Sequence, residues 1–388
     1  MKKIVFCLET MVLGGVEKEL ISVLKKIYDK YDITLLLLYL EDPDVLKDIP
    51  ATVKVKNIEI EKNYYCGSTA DLVKQRIKKG KISEATTIAI KRCLKIGMTG
   101  TNIDINDMPV LEETFDTAIS YHVHSPLSVK YVIEKILAKK KVAWIHNDLY
   151  TTGYAIQRIK KYVEVFDEFV AVSKKVEKEF RELCPWYRGV VSTAYNYIDP
   201  NDIIMRSKEA VSEDVYCNEK KVKILTIGRF TEQKGIDNAI RVSASLKKEK
   251  LDFHWFVVGY GPLESTYQSM IKEYDVSDCF TILGKKSNPY PYIKKCDLYV
   301  QPSRHEAFPI VILEAQILKK AIVCTNYDGA DEQICNGVNG IIVPLNDNES
   351  LFKKLAELIQ EPEKRLALSS ELEKKAFDTE LQEIVKHF

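Results

Sequence analysis

The stretch "SRHEAFPIVILEAQ", Ser303–Gln316, brackets an apolar run with two glutamates, Glu306 and Glu314. It overlaps the end of "LYVQPS" (298–303), which reads as a buried strand. Pro309 suits the first turn of a helix, where no N–H is needed, so a helix is expected through Glu314 to about Leu318. Glu306 then lies in the loop before that helix and Glu314 in its early turns. The unpaired N–H groups of Ile310 and Val311 would face an anion. The two carboxylates suit paired sugar hydroxyls, because a carboxylate accepts two hydrogen bonds.

Strand, loop and helix recur on both sides of this stretch. Upstream, "KIVFCLE" (3–9) reads as a strand, followed by Gly14-Gly15 and the helical pattern "VEKELISVLKKIY" (16–28). "ITLLLLY", "FDTAISYH", "KVAWIH" and "EFVAVS" follow as strand candidates. Continuous apolar runs of this kind belong to parallel sheets covered on both faces. The pattern restarts at "KVKILTIGRF" (221–230) and continues through "FHWFVVGYG", "CFTILG", "AIVCTN" and "GIIVP". The polar stretch 196–221 between the two series reads as a linker with little helical periodicity. The expected architecture is α/β: two doubly wound, Rossmann-like domains, 1–200 and 201–369, facing a cleft. A last helix, about 370–388, should pack back on the first domain.

Composition narrows the function classes. The chain has 388 residues, 46% hydrophobic and 29% charged, with net charge +1. That length supports two or three domains, and that charge offers no field for nucleic acid. Nine cysteines are scattered without a C-x-x-C pair, so they read as buried thiols and not as a zinc site. No apolar stretch reaches ~18 residues, and "MKKIVFCLE" lacks the apolar core of a signal peptide. A cytoplasmic protein is expected. The basic segments at 74–95 fit either a solvated helix face or a patch touching anionic lipid at the inner face of the membrane.

Several residues sit where ligands are held. Gly14 and Gly15 open the first helix, where backbone N–H groups can approach an anion, although the pair also fits a plain tight turn. Arg229 and Lys234, in "IGRFTEQKGID", lie just past a strand end; they fit a diphosphate clamp or two solvated cations. Gly259 and Gly261 fit a turn into a helix near Leu263. His122, His124 and His146 end two predicted strands, and a structural role, or less readily a metal pair, would account for them.

Taken together, these segments resemble the E-x7-E retaining glycosyltransferases of the two-domain GT-B fold. More narrowly, the chain looks like the family 4, or group 1, set that builds bacterial surface polysaccharides, including capsule and exopolysaccharide. The resemblance covers nearly the whole chain, through "GGVEKEL" (14–20), "GRFTEQKG" (228–235), the long segment from "LGKK" (283–286) to "ILEA" (312–315), and "DGADEQICNGVNGIIV" (328–343). It implies a metal-independent hexosyltransferase with no bound cofactor, using a nucleotide-diphosphate sugar, UDP- rather than GDP-linked, as donor. The acceptor would be a glycan or lipid-linked glycan. Arg229 and Lys234 would hold the diphosphate with Gly14 and Gly15 nearby, and Glu314 would bind the ribose. Glu306 and the backbone around Phe308, Pro309 and Ile310 would meet the transferred sugar, with Val311 beside them in the donor-binding set. Gly284 and Lys285 would pass the nucleobase, and His124, in preference to His122, would contact the sugar. His146 would shape the acceptor side. A catalytic set of Glu306, His124, Arg229 and Lys234 follows from the resemblance. Many relatives carry Gly where this chain has Ala307; a positive φ there would strain alanine. A nucleotide-sugar epimerase, a phosphorylase or a non-catalytic binding subunit would share much of this cleft.

Overall fold

Every strand of the first series enters one parallel sheet. In the computed structural model, which describes residues 1–388 apart from 13, 41–42, 59–76, 79, 81, 84–85, 87–104, 106–107, 153–155, 157–158, 212, 214–215, 217–219 and 371–377, that sheet has seven strands. They are β1 Lys3–Leu8, β2 Asp32–Leu37, β3 Lys54–Asn57, β4 Leu111–Ser120, β5 Ile136–Ile145, β6 Glu168–Ala171 and β7 Val190–Thr193. Their spatial order is β3-β2-β1-β4-β5-β6-β7. β1 is buried from Ile4 to Leu8, as a central strand covered on both faces must be.

The second sheet has six parallel strands in the order β10-β9-β8-β11-β12-β13. These are β8 Val222–Ile227, β9 Phe253–Val258, β10 Phe280–Gly284, β11 Leu298–Gln301, β12 Ala321–Thr325 and β13 Ile341–Val343. Each sheet reverses its strand order once, between β1 and β4 and between β8 and β11. Such a switch point opens a crevice at the C-terminal ends of the strands, where ligands bind in open α/β sheets.

The stretch 196–221 is more ordered than its composition suggests. It contains the helix Pro200–Arg206, started by Asp199, whose side chain accepts a hydrogen bond from the Asn201 N–H, and by proline in the first turn. The helix Asp378–Val385 precedes a terminus that docks on the first sheet. Phe388 packs edge-on to Phe6 with ring centroids 5.4 Å apart, and His387 Nδ1 lies 2.7 Å from Glu168 Oε1. Lys140 Nζ donates to the His387 carbonyl at 3.0 Å.

The domains also meet directly. Tyr195 stacks on Phe308 at 5.0 Å, and Asn196 Nδ2 donates to the Phe308 carbonyl at 2.9 Å. Glu332 accepts from the N–H groups of Lys174 and Lys175, at 2.8 and 3.0 Å, at the start of the helix Lys174–Leu183. A carboxylate of one domain thus meets the positive end of a helix of the other. The basic segments at 74–95 fall largely outside the described residues. Among those described, no helix is long and apolar enough to cross a membrane.

Gly259 shows how closely the turns at the strand ends approach one another. Its φ is +155, and a Cβ there would lie 1.9 Å from the Gly228 carbonyl oxygen. Gly259→Ala should therefore destabilise the fold by ~3 kcal/mol. Urea denaturation checks this; a midpoint equal to wild type would contradict it.

Candidate functional site

The helix Ile310–Ile317 is buried along nearly its whole length, which accounts for its apolar run. Pro309 is the residue that caps it, with φ −65 and ψ 122, one position earlier than the expected first turn. No side chain caps its N-terminus, so its first N–H groups face the space between the domains without a side-chain acceptor. Ala307 is absent from the residues with positive φ, so the expected strain does not arise. Its methyl is buried at the cleft wall.

Glu306 is held by a buried relay. Tyr299 donates to Gln301 at 2.9 Å, Gln301 to Ser303 at 2.8 Å, and Ser303 to Glu306 Oε1 at 2.8 Å. Lys234 Nζ approaches the same oxygen at 2.6 Å, and Gln301 also reaches it at 3.3 Å. These contacts all end on Oε1 and leave the second oxygen unspent. The neighbouring loops are tied together by Arg304, which forks onto Asp237 at 2.8 and 2.7 Å and donates to the Glu232 carbonyl at 2.6 Å. Gln233 completes the tie through the His305 carbonyl at 3.0 Å. The loop carrying Lys234 and the loop carrying Glu306 therefore move as one.

Glu314 has no exposed side-chain surface. Its Oε1 accepts from Lys18 Nζ at 2.8 Å across the cleft, while its Oε2 is buried and has no hydrogen-bond partner. A buried carboxylate oxygen without a donor is costly, and a ligand hydroxyl would relieve it. The Tyr290 hydroxyl is held well above its ordinary range by burial and then by the Glu314 charge.

Across the cleft, Gly14 caps the helix Gly15–Ile27, and the Glu17 carboxyl turns back over it; a Cβ on Gly14 would meet Glu17 Oε2 at 2.5 Å. Burial raises Glu17 to about 7, against the lowering pull of its own N–H, the Arg229 charge and the Gly14 N–H. Arg229 is exposed and has no ion-pair partner among the described residues. The three histidines line the same cavity, with His122 and His124 rings 5.6 Å apart. Burial holds His122 near 4 and His124 near 3, the latter helped by His122. It pushes His146 well below its usual value too. All three are neutral at pH 7 and can donate and accept hydrogen bonds without carrying charge.

One cavity of about 810 Å³ gathers these groups from both domains. Gly14, Gly15, His124, Arg229, Lys234, Lys285, Glu306, Phe308, Pro309, Ile310, Val311 and Glu314 all line it. Gly284 does not; it ends β10 with φ +74, and Lys285 and Lys286 line the wall beyond it. Sequence reasoning missed Glu17, Lys18 and Asn196, which share the cavity, and the buried Glu19 behind them. Glu19 had a signal: it falls on the face of its helix that also carries Val23 and Ile27.

Residues 207–375 match the family described as Glycosyl transferases group 1. Over these residues the chain is similar to the group 1 glycosyl transferases. It is 30% identical over 187 residues to the N-acetylgalactosamine-N,N'-diacetylbacillosaminyl-diphospho-undecaprenol 4-alpha-N-acetylgalactosaminyltransferase of Campylobacter jejuni, covering 47% of this chain and 49% of that one. It is 24% identical over 239 residues to the amylovoran biosynthesis glycosyltransferase AmsK of Erwinia amylovora, covering 58% and 56%. The matched region thus spans about half the length of these curated relatives. The crystal structure of HepE from Anabaena, in complex with UDP and glucose, superposes with a TM-score of 0.70 at 17% identity, covering 100% of this chain and 99% of the other. At that identity the likeness is one of fold, and the fold is GT-B.

Glu19 generates a test that needs no ligand. Its carboxyl is raised to about 8 by burial, against the hydrogen bond that Tyr121 donates to it. The folded state therefore holds this proton up to a higher pH than the unfolded chain does. Its contribution is fully present below the ordinary carboxylate range and is lost as pH rises through about 8. Glu19→Gln, which can still accept from Tyr121, should flatten the fall in stability between pH 5 and about 8. Urea unfolding at several pH values checks it; parallel slopes for both proteins would contradict it.

Proposed function

We propose that the protein transfers a hexose or related sugar from a nucleotide-diphosphate sugar to a glycan or lipid-linked glycan, with retention of anomeric configuration. The observation that carries this reading is the buried Glu314, whose Oε2 has no partner, at the mouth of a cleft that also holds Glu306, Arg229 and Lys234. Glu314 would accept from the ribose hydroxyls, and Glu306 would meet the transferred sugar through the oxygen that the relay leaves unspent. Arg229, Lys234 and the N-terminus of the helix Ile310–Ile317 would stabilise the departing diphosphate without a metal. Glu17, raised to about 7 by burial, carries only part of a negative charge beside Arg229 near neutral pH.

The other assignments follow the same geometry. Gly14 and Gly15 let the first domain approach the phosphates closely, and Lys285 lies beside the expected base. The neutral His124 would hydrogen-bond the sugar without competing for phosphate. His146 would shape the acceptor side. Retention would proceed by front-face attack beside the leaving phosphate. UDP-linked donors are favoured over GDP-linked ones; HepE was crystallised with UDP and glucose. A lipid-linked acceptor agrees with the undecaprenol-linked substrate named for the Campylobacter relative, and would place the enzyme at the inner face of the membrane.

Incubation with a panel of UDP- and GDP-sugars and candidate acceptors, scored by released nucleoside diphosphate, tests the reading. Release from at least one sugar nucleotide is expected. Lys234→Ala should slow transfer on the order of 10²-fold or more with an unchanged circular dichroism spectrum. Near-normal transfer by that variant, or no release from any donor, would overturn it.

A further inference from the structure

The Lys18–Glu314 pair joins the two domains. Lys18 stands in the second turn of the helix Gly15–Ile27, on the first domain, and Glu314 in the buried helix of the second. Besides its 2.8 Å contact with Glu314 Oε1, the ammonium lies 5.2 Å from the centroid of the Tyr290 ring. Its side chain keeps 22% of its surface exposed, whereas that of Glu314 keeps none. A carboxylate so deeply buried needs a counter-charge close by. Here that charge is supplied from across the cleft.

Two consequences follow. Separation of the domains strands the Glu314 charge on the second domain without its ammonium, so opening carries an electrostatic cost. With the domains together, one carboxylate oxygen is pinned and the other, Oε2, lacks a partner. A carboxylate fixed at one oxygen is a preoriented acceptor at the other. The Tyr290 ring limits the swing of the Lys18 ammonium, and the Arg206 guanidinium also lies 5.2 Å from the centroid of that ring.

We propose that Lys18 is a positioning residue that couples domain closure to recognition of the donor's ribose, by pinning Glu314 Oε1 and leaving Oε2 for the sugar hydroxyls. The proposal rests on the assignment of Glu314 to the ribose made above. It names a requirement beyond that assignment: the ribose site of the second domain is complete only when the first domain supplies its ammonium.

The test compares UDP with 2′-deoxy-UDP, which lacks one of the paired hydroxyls. Dissociation constants for both are measured by calorimetry with wild type, Lys18→Met and Lys18→Arg; GDP and 2′-deoxy-GDP replace them if wild type prefers guanine. Methionine keeps much of the stem over Tyr290 and removes the charge. Wild type should favour the ribonucleotide by about tenfold. In Lys18→Met, binding of UDP should weaken about tenfold while 2′-deoxy-UDP changes little, so the preference collapses. Lys18→Arg, which keeps the charge, should retain most of the preference. The free Lys18→Met protein should also show a larger radius of gyration by X-ray scattering than free wild type.

A lysine that serves only the fold would weaken both nucleotides alike. A preference in Lys18→Met within twofold of wild type therefore overturns the proposal, as does an unchanged radius of gyration. A Lys18→Arg preference that has collapsed overturns it too, and decides the matter if the methionine variant does not fold. Wild type that binds neither UDP nor GDP would overturn the reading of the cleft and the role of Lys18 with it. Wild type that prefers the ribonucleotide, with the preference kept in Lys18→Met, would overturn the role of Lys18 alone.

Discussion

The burial of the helix Ile310–Ile317, which packs on β12 of the second sheet and meets the helix Gly15–Ile27 of the first domain, is the constraint on which the cleft depends. Ile310, Ile312, Leu313, Ala315 and Ile317 are all buried, so the helix has no broad solvated face to carry a charge. A glutamate in its middle therefore cannot serve solubility. Its charge has to be matched inside the protein, and the matching group comes from the other domain. Gln316 obeys the same rule in neutral form, donating to the Gln333 carbonyl at 2.8 Å. The polar atoms of this helix are thus committed to defined partners or turned to the cleft. That is why a segment so apolar can present a site.

The two walls of the cleft have different electrical characters. On the second domain, Lys234 and Arg229 stand beside a helix N-terminus, and Glu306 lies within the first cation's reach. That wall can receive an anion and still hold a carboxylate in place. On the first domain, burial keeps His122, His124 and His146 uncharged. Around the three histidines that wall offers hydrogen bonds with direction and no charge, while Lys18 brings its charge to the same cavity from the helix Gly15–Ile27. A ligand with a charged half and a hydroxyl-rich half meets both preferences in one orientation. The division comes from burial, since the histidines and the cations share one cavity.

Parts of this were legible in the residues alone, for physical reasons. Strands covered on both faces, such as β1 and β9, read as continuous apolar runs because every side chain is inside. The strand β3, "KVKN", was not read as a strand: it lies at the sheet edge and is largely exposed, so its sequence carries no apolar signal. The front of β5, from Ile136 to Lys140, escaped because only Ile136 is buried there and the lysines from Lys139 to Lys141 interrupt the apolar run. The helix Pro200–Arg206 was hidden by polar composition although Asp199 and Pro200 form a start signal. The place of Arg229, Lys234 and Glu306 on the cavity wall was legible because they follow strand ends, where an open α/β sheet has its crevice. Lys18 was not, because its partner is 296 residues away, and no local pattern encodes a contact of that range. At Ala307 the positive φ that would have strained alanine is not adopted. The loop takes its shape from the ties made by Arg304 and Gln233, without a left-handed residue.

The return of the chain to its first domain has a mechanical meaning. The polypeptide leaves the first sheet after β7, builds the second sheet, and comes back by Asp378 to end against Phe6 and Glu168. Two bodies joined by one covalent strand can twist about it as well as bend. Joined by two, they behave like a door on two pins, free to swing about the line between the pins and stiff against torsion. A swing of that kind carries the rim opposite the pins farthest and the region beside them least. Groups that must register to a fraction of an ångström, such as an ammonium and a carboxylate on opposite leaves, can then separate and meet again in the same alignment.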